Sequence, residues 1–412
     1  MSRYVYVLVA WGAALTVALY GGGAVAKQGP IKIGLIVPLT GVFSANGRDM
    51  ANGFALGLGQ AGNRIASREI QVLTEDEQGT PAAALTKARK LVELDKVDLL
   101  VGPLLASSGY ALRDYIDEQK IPALYPVVSA DDLTQRKGTP WIIRTGWASS
   151  QPNHPFGEYA AKVLKYRRIA TIAYDFAFGW ETVEGFHDAF EQNGGRVVLH
   201  LWPPIGAPDY SPYLSRIPGD VDAVYATFSG GDALRFLQQY RGFGLEGRIP
   251  VIGNGTLTDE HILFEERDLA KGIITPLHYS AALKTQANRD FVRAYVRAYN
   301  RVPSYYSEAT YTGALFLIRG IEAIRGNVAD RQALAAAVRS VVLPDAPRGP
   351  VRLDKWGNPI ENEYIRRVDI VNGEPQNTVI ATYPNVSQFW TANPDEYLKK
   401  PVYTRDVPPA HP

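Results

Sequence analysis

The sequence predicts an α/β protein of two doubly wound lobes in series, joined by a three-segment hinge. Three observations carry this. Apolar, β-branched runs alternate with amphipathic helical runs along most of the 412 residues, the pattern of βαβ units around a parallel sheet. The alternation restarts after Trp147. Two late helices and a group of late strands then need a sheet to join.

In the first lobe, IKIGLIVPL reads as a strand and GRDMANGFALGLGQAGNR as a helix. EIQVLTED precedes TPAAALTKARKLVELDK, where Thr80 caps the helix and Pro81 occupies its first turn. VDLLVGPLL leads into SGYALRDYIDEQK, and the strands IPALYPVVS and TPWIIRTGW follow. In the second lobe, NHPFGEYAAKVLKY reads as helix and RRIATIAYDF as strand. GWETVEGFHDAFEQNGG is a helix stopped by Gly194-Gly195, and RVVLHLW a strand. VDAVYATFS precedes GGDALRFLQQYRGFG, and IPVIGNG precedes TDEHILFEER. TQANRDFVRAYVRAYNRVPSYYSEATYTGALFLIRGIEAIRG holds two helices, and strands flank turns at Gly357-Asn358 and Asn372-Gly373. The economical arrangement returns these helices to the first lobe and the last strands to the second. That places lobe 1 at residues 27–147 and 280–347, and lobe 2 at 148–279 and 348–412, with crossings near Trp147–Ser149, His278–Ser280 and Pro347–Pro350. Three crossings make a hinge that bends without letting the lobes separate.

The first 26 residues stand apart. Arg3 precedes an apolar run from Tyr4 to Tyr20, and Ala24-Val25-Ala26 matches a signal-peptide cleavage site. A retained membrane anchor is the alternative, but the run is short for a span of roughly 20 residues. Export to the periplasm, with cleavage after Ala26, is the expectation. Of 43 basic residues only Arg3 falls in the leader, so 42 remain against 42 acidic ones. Such neutrality argues against a nucleic-acid partner. The chain has no cysteine, hence no disulfide and no cysteine-borne lipid.

Ligands of open parallel sheets bind outside the carboxyl ends of the strands. Here those ends are PLTGVFSANG, PLLASSG and PVVSADD in the first lobe, and DFAFGW, TFSGGD and GNGTLT in the second. A helix beginning near Ser107 aims free N–H groups at the cleft. Ser107, Ser108 and Ser129 add hydroxyls, so a carboxylate could be seated without a formal cation. Ser107 or Ser108 acting only as an N-cap is the other reading. Phe176, Phe178, Trp180 and Phe228 gather at the second-lobe ends, either as packing or as walls for a flat apolar guest. Phe43 lies in the first strand-end turn.

No catalytic, metal or cofactor pattern emerges. LLASSG is not a G-x-S-x-G elbow, and the six histidines show no H-E-x-x-H spacing. His187 and His261 read as surface residues, and His278, at a crossing, as a candidate for the cleft. No nucleotide loop follows the first strand.

As an ordered set, IKIGLIVPLTGVFSANGRDMANGFALGL, LLVGPLLASSG, IPALYPVVSADDLT, WIIRTGW, RIATIAYDFAFGWETVEGF, DAVYATFSGGDALRFLQQYRGFG and GPVRLDKWGN resemble the periplasmic solute-binding proteins of ABC importers, of the branched-chain amino-acid type (type I). The resemblance runs from about Ile31 to Asp369. It implies two Rossmann-like lobes, closure on a small molecule and delivery to an inner-membrane permease by a monomer. It places the carboxylate turn on Ala106-Ser107-Ser108, the next binding turn on Val127-Val128-Ser129, and the covering aromatic on Phe178. The acid that holds an amino-acid ammonium would fall near Asn254 or Gly255, where no acid stands. A buried ammonium without a counter-charge is costly. The expected ligand is therefore a carboxylate with an apolar, aromatic remainder, favoured by Phe178 and Phe228 with Tyr125, His278 or Tyr279 near. The tail VSQFWTANPDEYLKKPVYTRDVPP is also similar to those of aromatic-acid binders in this family. The rivals are an amino-acid binder using Asp209 or Glu181, a sensor that docks to a regulator, and an exported hydrolase.

Overall fold

The computed structural model describes Met1 and residues 29–406. The rest of the leader and the closing VPPAHP lie outside the described residues. A six-stranded sheet holds β1 (Ile31–Val37), β2 (Arg64–Ile65), β3 (Arg68–Asp76), β4 (Leu99–Val101), β5 (Ala123–Tyr125) and β6 (Ile142–Arg144), in the order β2-β3-β1-β4-β5-β6. Its strands pair in parallel except at the β2–β3 hairpin. Around it stand α1 (Ser44–Gln60), α2 (Pro81–Arg89) and α3 (Ala106–Gln119). The Thr80 hydroxyl accepts from the Ala83 N–H, so the cap of α2 is the one its sequence predicts.

The second sheet runs β12-β13-β14-β11-β10-β9-β7-β8, with β15 paired to β14. Its members are β7 (Arg168–Ala173), β8 (Arg196–Leu201), β9 (Ala223–Thr227), β10 (Val251–Gly253), β11 (Ile274–Leu277), β12 (Val342–Ala346), β13 (Gly349–Leu353), β14 (Pro359–Val371) and β15 (Glu374–Val386). Strands β7 to β11 are parallel, and β14 joins β11 antiparallel. Helices α4 (Asn153–Lys162), α5 (Ala177–Gln192), α6 (Ser211–Leu214), α7 (Gly231–Gly242) and α8 (Glu260–Glu266) belong to this half. This is the two-sheet α/β architecture the alternation predicts.

Helices α9 (Gln286–Tyr299), α10 (Tyr305–Ala323) and α11 (Arg331–Arg339) follow β11. The first two return to α1. The Tyr295 and Ser304 hydroxyls both donate to Asp49 of α1, at 3.2 and 2.6 Å. A Cβ at Gly53 would lie 1.9 Å from the Ser307 carbonyl oxygen, so glycine is what lets α1 and α10 touch backbone to backbone.

Between the sheets lies a buried ionic hub. Arg348 Nη2 stands 2.8 Å from Glu308 of α10, and Nη1 stands 2.9 Å from Glu361 of β14. Nη1 also donates to the carbonyls of Thr145 and Gly146, just past β6. One guanidinium thus ties elements of both halves together. Burial opposes its charge, but Glu308 and Glu361 hold its pKa above the ordinary value. Arg144 is fully buried and donates to Asn358 Oδ1 at 3.0 Å and to the Ala130 carbonyl, so it braces this junction.

The tail after β15 packs. Phe389, Tyr397 and Tyr403 are buried, and the short helix α12 (Pro394–Tyr397) lies within it. Arg136 donates to the carbonyls of Tyr397 and Lys400, and Arg405 pairs with Asp175 at 3.0 Å. No helix among the described residues is long and apolar enough to cross a membrane.

Candidate functional site

Six strand ends and one helix start converge on one cavity. The β4–α3 turn supplies Leu104, Leu105 and Ala106, and the segment after β5 supplies Val127 and Ser129. Tyr174, Phe176 and Phe178 come from the β7–α5 turn, Ser229 from the end of β9 and Thr256 from the end of β10. Phe43 precedes α1, and Tyr305 and Tyr306 open α10. They line a cleft with ≈ 370 Å³ of non-atom space, its solvent-open mouth included. None of these thirteen side chains carries a charge at neutral pH.

The wall is a collar of rings. Centroids of Tyr174 and Phe176 lie 5.6 Å apart, those of Phe176 and Phe178 6.1 Å, and those of Phe178 and Trp147 5.9 Å. Trp147 meets Tyr305 at 5.9 Å, and Tyr305 meets Tyr306 at 3.9 Å. Ser229 closes the circle: its hydroxyl is 2.7 Å from that of Tyr306, and its carbonyl accepts from the Tyr174 hydroxyl at 3.1 Å. All the ring spacings but that of the closer Tyr305–Tyr306 contact fall within the about 4.5–7 Å of offset and edge-to-face ring pairs. A Cβ at Gly179 would fall 2.0 Å from the Tyr174 carbonyl oxygen, so the tight turn that presents Phe178 depends on that glycine.

The polar groups of the lining are neutral dipoles. Helix α3 starts after Leu105, with no side-chain cap on its first-turn N–H groups. Those donors stay available at the wall, with the positive end of the helix dipole behind them. The serines therefore do not cap their own helix. Ser107 is half-buried. Ser108 is fully buried, its hydroxyl turned to Glu77, whose pKa it lowers without completing a hydrogen bond of normal geometry. Glu77 accepts from the Leu104 N–H at 2.7 Å. Burial raises its pKa to about 7 despite these contacts. Ser129 Oγ accepts from Ser149 Oγ at 2.9 Å, which leaves its own hydrogen free to donate.

Of the residues singled out in the sequence, Phe43, Ala106, Ser129, Phe176 and Phe178 meet at the cavity. The others stand behind it. In the bend after β5, Val127 and Ser129 face the cavity while Val128 turns away, its Cγ1 packed against Gly109 of α3. Tyr125 is buried beneath α3, its hydroxyl 3.4 Å from the Gly109 carbonyl. Phe228 lies under the lining in a ring cluster with Tyr174, Tyr210 and Phe236. Tyr279 is buried against Phe291. Asn254 shapes its turn: its side-chain oxygen accepts from the N–H and the hydroxyl of Thr256, the residue that reaches the wall. His278 is one ring removed, between Trp147 and Tyr305. Burial, then Arg348 and Arg366, depress its pKa, so it is neutral.

Two expectations are corrected. His187 and His261 are buried, not superficial, because each faces a carboxylate, Glu191 at 3.2 Å and Asp259 at 2.7 Å respectively. Neither acid considered for an ammonium lines the cavity. Asp209 is exposed and accepts from the Ser211 N–H. Glu181 accepts from the Tyr110 hydroxyl at 2.8 Å, and burial, then the Asp131 charge, raise its pKa well above the ordinary range. The lining residues missed in the sequence are chiefly Tyr174, Ser229, Tyr305 and Tyr306. Ser229 carried a signal, since it lies in a strand-end turn. Tyr305 and Tyr306 carried none, because they arrive from a helix start far along the chain.

Comparison with known proteins agrees with this geometry. The periplasmic binding protein family model matches residues 30–375. A Leu/Ile/Val-binding protein homolog from Brucella melitensis is 26% identical over 347 residues, spanning 82% of this chain and 87% of its own. Two solute-binding proteins of Rhodopseudomonas palustris ABC transporters are each 29% identical and align over 87% of this chain and 98% of their own. One was solved with benzoate, at a TM-score of 0.81, the other with 3,4-dihydroxybenzoic acid, at 0.83. Sheet order, cleft and matched length converge on one conclusion: the chain belongs to the periplasmic binding protein family, among the substrate-binding components of ABC transporters.

Proposed function

We propose that this protein captures a small aromatic carboxylate in the periplasm and hands it to an ABC permease of the inner membrane. The observation that carries this reading is a cavity ringed by aromatic side chains that contains hydroxyls and an uncapped helix start but no charged side chain. A carboxylate is well served by the free N–H groups of α3 and by Ser129. An ammonium would need an acid, and the lining holds none. The names of the curated relatives favour a second reading, a branched-chain amino acid. The benzoate complex of a 29% identical protein favours the first.

In this reading the leader 1–26 is removed on export, and the mature protein acts as a monomer without catalysis or nucleic-acid binding. The lobes are residues 27–147 with 280–347, and 148–279 with 348–412. In support, strands β1–β6 and β7–β11 form separate sheets, and α10 packs on α1. The guest settles on the α3 side, and the turn carrying Phe176 and Phe178 covers it. Contacts made only in the closed form shift the population toward closure. Calorimetric titration with benzoate, 4-hydroxybenzoate and leucine tests the reading. Binding of an aromatic acid with no heat from leucine is expected; tight leucine binding with silence from both acids overturns it.

A further inference from the structure

Two proteins at the same 29% identity were solved with a bare and a dihydroxylated benzoate, so likeness alone does not say whether a ring hydroxyl matters here. The cavity wall itself carries the answer. A buried relay leads to it. Asp259 is fully buried; burial works against its charge, yet His261 holds its pKa below the ordinary carboxylate range. As a carboxylate it accepts from His261 Nδ1, 2.7 Å away. His261 Nε2 faces Asn46 Nδ2 at 3.2 Å, and an amide nitrogen only donates, so the link runs from Asn46 to the ring. The same amide nitrogen donates to Ser229 Oγ at 3.2 Å. Ser229 Oγ and the Tyr306 hydroxyl are 2.7 Å apart.

Counting hydrogens shows what this pair can do. Ser229 and Tyr306 bring two hydroxyl hydrogens, and one link joins them. Asn46 meets the pair through its amide nitrogen, and its Oδ1 has no hydrogen-bond partner, so it takes up neither hydrogen. The Tyr305 hydroxyl, next along the wall, adds one hydrogen and at most one link, leaving the surplus unchanged. One O–H is left to donate, and the oxygens keep lone pairs to accept. A guest hydroxyl satisfies both. A ring C–H at that place leaves a buried donor unmet, which costs affinity. The pair also shares no hydrogen-bond partner with the Ala106–Ser129 side, where the carboxylate is seated.

We propose that Ser229 and Tyr306 recognise a hydroxyl on the ring, at the end remote from the carboxylate, so that the preferred guest is a para-hydroxylated aromatic acid. This rests on the aromatic-acid reading and sharpens it. The test is titration of the full mature protein near pH 7 with benzoate, 2-hydroxybenzoate and 4-hydroxybenzoate. The 4-hydroxy acid should bind about tenfold tighter than benzoate, and the 2-hydroxy acid should gain nothing. Tyr306→Phe and Ser229→Ala should each weaken 4-hydroxybenzoate about tenfold and change benzoate by less than about threefold. Equal affinities in the unmodified protein, or variants that weaken both acids alike, overturn the proposal while the aromatic-acid reading stands. Failure of all three acids to bind removes both.

Discussion

The cavity and the hinge beside it treat charge in opposite ways. The thirteen lining residues are all neutral. At the hinge, Arg348, Glu308, Glu361, Glu363 and Arg366 are all fully buried or nearly so. Burial raises the Glu361 pKa, and Arg348 opposes that shift. The contrast separates two tasks. A buried ion pair is a poor source of net stability but a strict geometric constraint, since losing one partner strands the other. That suits a junction that must keep two sheets in register. A binding wall must empty and refill, and neutral dipoles leave no stranded charge when the guest departs.

The largest expected effect breaks the hinge side of this contrast. Arg348→Met leaves Glu308 and Glu361 buried without a counter-charge and should destabilise the protein by about 3–5 kcal/mol in chemical denaturation. A loss under 1 kcal/mol would mean the hub is not a constraint. On the cavity side, Ser129→Ala removes a hydroxyl donor from a buried carboxylate. It should weaken aromatic-acid binding by about 1–3 kcal/mol in calorimetry, with little change in melting temperature. Unchanged affinity would reduce Ser129 to a turn residue.

The smallest effect concerns the border between the two regions. Glu77 lies behind the start of α3, and its folded pKa is raised from 4.5 to about 7. Its proton therefore favours the folded state. That contribution is complete below about pH 4.5 and is lost as pH rises through about 7. Glu77→Gln should match the unmodified protein in melting temperature at pH 4 and exceed it by about 2 °C at pH 8.5. Equal melting at both values would show that the Glu77 carboxyl is not held protonated.

Much of the fold was legible because its signals are local. Apolar runs bounded by caps gave the strands and helices, and Thr80-Pro81 marked a helix start that the hydrogen bond to Ala83 bears out. The site was legible only by region. Strand-end turns pointed to Ala106, Ser129 and Phe178, but the neighbouring side chain was sometimes the one on the wall. Val127 rather than Val128, and Thr256 rather than Asn254, reach it, because turn geometry decides which side chain faces inward. Tyr305 and Tyr306 could not be placed beforehand, since only the return of α10 to α1 brings them there. The hinge pairs were hidden for the same reason: nothing in the order of residues brings Glu308 beside Arg348.

The pairing of Arg405 with Asp175 has a practical meaning. Asp175 immediately precedes Phe176, so Arg405 is fastened next to a turn that lines the cleft. If capture proceeds by the closure proposed above, a purification handle or fluorescent reporter fused close behind Arg405 would act on the covering turn. Placed with care, it would make a sensor of capture; placed carelessly, it would tug on the very loop whose affinity is being measured.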